Sequence, residues 1–181
     1  PKDYLDYEIE RMVSEGIEVR TGQRLGRDFT LDGLREEGYS AVYLALGAQL
    51  AKKIPLEGGD GEGVLYGIPF LRQVSQGLMP SIGKRVAVIG GGNVAIDVAR
   101  TALRLGSQVT IVYRRTKKEM PAHHWEVEEA LEEGVQLRSS WSPARVIRQG
   151  PDVQGLEVER CMSVYSGDGK RQLEVDPDQR E

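Results

Sequence analysis

The sequence predicts an α/β protein: a Rossmann-like, three-layer parallel sheet followed by an antiparallel β-meander. Three observations predict it. Residues 85–113 read as a buried strand, a glycine turn, an amphipathic helix and a second buried strand, joined too tightly for anything but a parallel βαβ unit. After Pro143 the pattern shortens to paired strands, with turns at Gly150-Pro151 and Gly167-Asp168-Gly169. The 181 residues are 39% hydrophobic and 29% charged, enough apolar material for a core and too much for a disordered chain.

From the N-terminus, Leu5, Ile9, Met12 and Val13 recur at helical spacing, which predicts a helix over 3–15 with one buried stripe, ended by Gly16. A short strand is expected at 17–20 and a short helix at 31–37. Residues 41–46 are almost unbroken apolar, the pattern of a strand buried on both faces. Residues 52–67 read as loop, including the glycine-rich run at 58–63, and precede a helix at 69–76. The domain junction is placed in this region.

The next segment is the most regular. The strand at 85–89 meets Gly90-Gly91-Gly92, and the helix over 93–105 carries its apolar residues at Val94, Ala95, Val98, Ala99, Ala102 and Leu105 before Gly106 closes it. A buried strand follows at 109–113, then a helix at about 121–133 and a strand at 135–137.

Charge is uneven along the chain. The net charge is −4, yet residues 78–119 hold eight basic and two acidic side chains. A basic stretch in an acidic protein favours a phosphorylated small molecule over a nucleic-acid surface. No segment reads as a membrane span. The single cysteine, Cys161, excludes an internal disulfide or a multi-cysteine metal site and points to a cytoplasmic setting.

Gly90-Gly91-Gly92-Asn93-Val94-Ala95 fits G-x-G-x-x-[GA] between strand and helix. The first glycine permits the tight turn, the second lets a pyrophosphate approach the backbone, and the small third residue lets helix and strand pack closely. Free N–H groups at the helix start then face the anion. At the end of the second strand an NAD site needs an acid for the ribose hydroxyls, whereas an NADP site needs cations for the 2′-phosphate. Here stand Arg114 and Arg115, with Lys117 and Lys118 behind them. Guanidinium forks suit a phosphate, so the spacing points to NADPH; simple solvation of a strand end is the competing reading.

Residues 83–135 closely resemble the NADPH-binding domain of the small subunit of bacterial glutamate synthase and its relatives, which include flavin-dependent electron-transfer subunits and part of dihydropyrimidine dehydrogenase. A weaker likeness covers nearly the whole chain. It implies that residues 1–50 are the end of a first FAD-binding segment, 51–77 a linker with a short helix, and 78–181 an NADPH-binding domain truncated before its last strand, which together look like an excised domain. It further implies that Gly90, Gly91, Gly92, Asn93, Val94 and Ala95 surround the NADPH pyrophosphate, that Arg114 and Arg115 hold the 2′-phosphate, and that Met120-Pro121-Ala122 lies near the adenosine end. Asp97 falls where related disulfide reductases carry a carboxylate facing the nicotinamide; a buried, hydrogen-bonded helix residue is the other reading. Met120-Pro121-Ala122 equally suits a helix start with an early proline.

The function expected is delivery of hydride from NADPH to FAD, held by a domain outside this sequence, and on to iron–sulfur centres of the same chain or a catalytic partner subunit. A non-catalytic NADP(H)-sensing or assembly module is the alternative. No residue is expected to act as acid or base. His123 and His124 are adjacent and unsuited to one metal, and Cys161 has no second cysteine. The acidic run Glu126, Glu128, Glu129, Glu132 and Glu133 reads as a solvated helix face, and Trp125 and Trp141 as packing residues.

Overall fold

A computed structural model describes residues 2–165 and 171–181. The expected turn at Gly167-Asp168-Gly169 lies outside the described residues. The chain divides into two compact units, Pro1–Gly47 and Ala48–Glu181.

The first unit holds helix α1, Lys2–Ser14, and helix α2, Leu31–Glu36. Thr30 Oγ1 accepts a hydrogen bond from Gly33 N at 3.0 Å and caps α2. Between the helices the Asp28 carboxylate accepts from Arg24 N at 2.8 Å and from the Arg27 guanidinium, closing a local turn. Three expectations fail here. Residues 17–20 and 41–46 form no strand, and the α1 stripe is exposed, with Leu5 at 60% and Met12 at 57%. Leu44 and Leu46, expected inside a sheet, are more than half exposed. A strand exists only when its N–H and C=O groups pair with a neighbour, and among the described residues this unit offers no sheet to pair with.

The second unit carries the core. Helix α3 is Gly67–Ser75, strand β1 Arg85–Ile89, helix α4 Asn93–Arg104, strand β2 Gln108–Tyr113, helix α5 His124–Glu132 and strand β3 Gln136–Ser139. The strands form a parallel sheet in the order β1-β2-β3, with Val88 opposite Ile111 and Tyr113 opposite Ser139. Ala95, Ala99 and Ala102 line one face of α4 and are buried with Ile96, Ile111 and Ala130. Small side chains at that spacing let the helix approach its neighbours closely. Gly106, at φ 95°, ends α4 as expected: its N–H reaches Leu103 O at 2.9 Å and Ser107 N reaches Ala102 O at 3.2 Å.

The segment before α5 departs from expectation. A helix from Pro121 is replaced by a 3₁₀ turn at Lys117–Glu119, an extended stretch, and a helix that starts only at His124. Glu119 closes a capping box on Thr116, and the amides of Ala122 and His123 are drawn out of helical pairing, to Gly91 O and Asn93 Oδ1 at 3.1 Å each.

The C-terminal strands β4, Trp141–Gln149, β5, Asp152–Tyr165, and β6, Arg171–Arg180, form the expected antiparallel sheet in the order β4-β5-β6. Val175 pairs with Cys161 within this ladder. The glycine-rich loop is anchored to the sheet: Val146 N donates to Glu57 O at 2.8 Å, and Arg148 donates to Gly58 O, Glu62 O and Pro151 O at 2.7, 2.9 and 2.6 Å. Among the described residues, no helix is long and apolar enough to cross a membrane.

Candidate nucleotide site

The glycine turn begins while the chain is still hydrogen-bonded to the sheet. Gly90 N donates to Val112 O at 3.1 Å, and its φ of 141° lies where side chains are disfavoured. A Cβ on Gly90 would stand 3.3 Å from Ala95 Cβ, so these two small residues together set the close approach of α4 to β1.

The other two glycines differ in kind. A Cβ on Gly91 would lie 2.6 Å from Tyr113 Cδ2 and Cε2, so this glycine serves packing. Gly92 has an ordinary extended backbone, φ −91° and ψ 173°, and a Cβ there would meet only Pro121 Cγ, at 3.9 Å. The fold therefore does not require glycine at 92, and the open backbone there fits what close approach of a pyrophosphate would need.

Gly92 is the N-cap of α4, and no side chain caps the helix. The partial positive charge of its first turn is left for an anion. Asn93 does not cap; its Oδ1 instead accepts from His123 N and ties the approach of α5 to the turn. Val94 is 43% exposed and Ala95 is buried. Asp97 is exposed on α4, which removes the reading of it as a buried, hydrogen-bonded residue.

At the end of β2, Arg114 and Arg115 are exposed, and among the described residues neither guanidinium forms an ion pair or a side-chain hydrogen bond. The main chain holds them in place, for Arg115 O accepts from Ser140 N at 2.8 Å. They line a cavity of about 480 Å³ with Glu119, Gln172 and Leu173. Lys117 is turned away to Glu128, at 2.8 Å, so it is not available to a phosphate on these terms.

Several features escape sequence reasoning. Tyr113 buries its ring over Gly91 and donates its hydroxyl hydrogen to Glu119 O at 2.7 Å, linking the turn to the 3₁₀ segment. The acidic face of α5 is not simply solvated: Glu129 and Glu133 pair with Arg100, and Glu133 with Arg104. Those arginines hold the Glu133 carboxyl down at about 2, the Arg100 hydrogen bond contributing most. The guanidinium groups of Arg138 and Arg160 stand over the Trp141 ring, 5.6 and 5.3 Å from its centroid, whereas Trp125 is 61% exposed and stacked on His123. Burial pushes the Cys161 thiol up, away from ready reactivity. Among the described residues no three acidic, histidine or cysteine side chains cluster as a metal site would require.

Residues 4–176 match the family described as pyridine nucleotide-disulphide oxidoreductase. The chain is 39% identical over 183 aligned residues to the NADPH-Fe(3+) oxidoreductase subunit beta of Geobacter sulfurreducens, covering 98% of this chain and 27% of that protein. It is 38% identical to the NADP(+)-dependent formate dehydrogenase subunit beta of Moorella thermoacetica, covering 97% and 25%, and 34% identical to the glutamate synthase (NADPH) small chain of Escherichia coli, covering 96% and 40%. The chain thus spans between a quarter and two fifths of these relatives. In fold it is similar to FprA from Mycobacterium tuberculosis, with a TM-score of 0.75 at 20% identity over all of this chain and 57% of that one. The glycine turn, the parallel sheet that carries it and the match over 173 residues give one conclusion: the chain belongs to the pyridine nucleotide-disulphide oxidoreductase family.

Proposed function

We propose that this chain binds NADPH, with the pyrophosphate at Gly90 to Ala95 and the 2′-phosphate at Arg114 and Arg115, as the nucleotide-binding part of a flavin-dependent oxidoreductase. The observation that carries the proposal is the pair of exposed guanidinium groups, without an ion pair among the described residues, at the end of the strand beside a turn whose Gly92 the fold does not need. The relatives named for NADPH or NADP(+) support it.

NADPH supplies the hydride, which in the full-length protein would pass to FAD and then, as electrons, to iron–sulfur centres. The work of these residues is to bind and orient. The uncapped start of α4 neutralises the pyrophosphate, and the arginine fork distinguishes the phosphorylated ribose from a free one. Asp97, exposed one turn beyond Asn93, is the residue we assign to orienting the nicotinamide end. None of these side chains needs to move a proton.

The test is calorimetric titration of the chain with NADPH and with NADH in one low-salt buffer. Tighter binding of NADPH, by about tenfold or more, supports the proposal; equal affinities or a preference for NADH would overturn it.

A further inference from the structure

We infer that the stacked rings of His123 and Trp125 form a platform for the adenine base of the bound nucleotide. This rests on the nucleotide reading above and extends it to the base, which neither the glycine turn nor the arginine pair touches.

The segment bearing the two rings is fixed to the turn by two hydrogen bonds and passes close to Gly92. Ala122 N donates to Gly91 O and His123 N to Asn93 Oδ1, each at 3.1 Å, and Pro121 Cγ stands 3.9 Å from the place of a Cβ on Gly92. The same segment leaves the end of β2 directly after Arg114 and Arg115. A nucleotide that places its 2′-phosphate on those arginines carries its base on the adjacent ribose carbon. The base therefore belongs within a short reach of both the arginine pair and the pyrophosphate turn, where residues 116–125 run.

The rings themselves are arranged for stacking. Residues two apart within a helix do not face each other. Here they do, because His123 is the N-cap, with φ −59° and ψ 132°, outside the helical backbone of α5. The centroids are 4.5 Å apart and the planes differ by 11°. Trp125 remains 61% exposed, in contrast to Trp141, which two guanidinium groups stand over. An aromatic plane with most of its surface in water, on the segment bonded to the glycine turn, offers a base what sequence-tolerant nucleotide sites use.

The probe is adenosine 2′,5′-bisphosphate, which carries the base and a 2′-phosphate but no nicotinamide, with inorganic pyrophosphate as the control that lacks a base. Tryptophan fluorescence of the unsubstituted chain should be quenched saturably by the bisphosphate, and the quenching should be absent in Trp125→Leu. By calorimetry Trp125→Leu should bind the bisphosphate about tenfold more weakly, Trp125→Phe should recover most of the loss, and pyrophosphate should bind all three alike. Unchanged bisphosphate affinity in Trp125→Leu, with affinity lost in Arg114→Ala, overturns the platform and leaves the nucleotide reading standing. A loss of pyrophosphate and bisphosphate binding together in Trp125→Leu also overturns it, since the effect would then lie in the turn. No bisphosphate binding by the unsubstituted chain removes both.

Discussion

Gly91 lies directly under the ring of Tyr113, so closely that a Cβ would stand 2.6 Å from two of its ring carbons, while a Cβ on the neighbouring Gly92 would meet nothing nearer than 3.9 Å. Two adjacent glycines of one motif thus answer to different demands. Gly91→Ala must displace a ring that is 8% exposed and hydrogen-bonded through its hydroxyl to Glu119, and should cost about 1–3 kcal/mol of stability. Gly92→Ala should leave the melting temperature within about 2 °C of the parent while weakening NADPH by about tenfold or more. Thermal melts and titrations of the two variants check this pair, and a Gly92→Ala chain that binds NADPH normally would remove the reason given for that glycine.

Glu133 makes stability depend on acid. Its carboxyl falls from 4.5 to about 2, chiefly through the hydrogen bond from Arg100 and further through Arg104. A lowered carboxyl stabilises the fold in full above the unfolded value near 4.5 and loses that contribution as pH falls towards 2. Glu133→Gln should therefore lower stability at pH 7, flatten its dependence between about pH 4.5 and 2, and match the parent at the acid end. Denaturant melts at a series of pH values measure this; parallel curves for the two proteins would contradict it.

Arg148 reaches three backbone carbonyls, those of Gly58, Glu62 and Pro151, and so fastens the glycine-rich loop to β4. Arg148→Ala should cost about 2 kcal/mol and raise proteolytic cleavage within residues 57–63 before any other site. Cleavage rates equal to the parent's would show that Val146 N and Glu57 O hold the loop without help from Arg148.

The part of the protein most legible in the sequence is the part whose signals are local. The strand, glycine turn and helix over residues 85–105 pack against residues close by, so periodicity and turn chemistry agree with the fold. Residues 17–20 and 41–46 show the opposite case, for their apolar pattern specifies burial that this stretch of chain does not provide. Pro121 was misleading for a different reason: its neighbours' amides are taken by Gly91 O and Asn93 Oδ1, contacts from about 30 residues away that no local rule contains. Within the site, the glycines and arginines carry a recognisable motif. The Gly91–Tyr113 contact and the His123–Trp125 stack do not, because each depends on how β2 and α5 meet the turn in space.

An unaided hydride transfer by this chain is not expected, since no side chain at the site accepts electrons. The purified chain should bind NADPH yet fail to oxidise it with ferricyanide; sustained turnover by flavin-free protein, followed at the dihydronicotinamide absorbance, would contradict the division of labour proposed here.

In the proposed site the Arg114 guanidinium reads the 2′-phosphate. The most direct measurement is a cycle of four calorimetric titrations, NADPH and NADH against the parent chain and against Arg114→Ala. The substitution should weaken NADPH by about tenfold or more and leave NADH within about twofold. Equal losses for both nucleotides, or no loss for either, would contradict it.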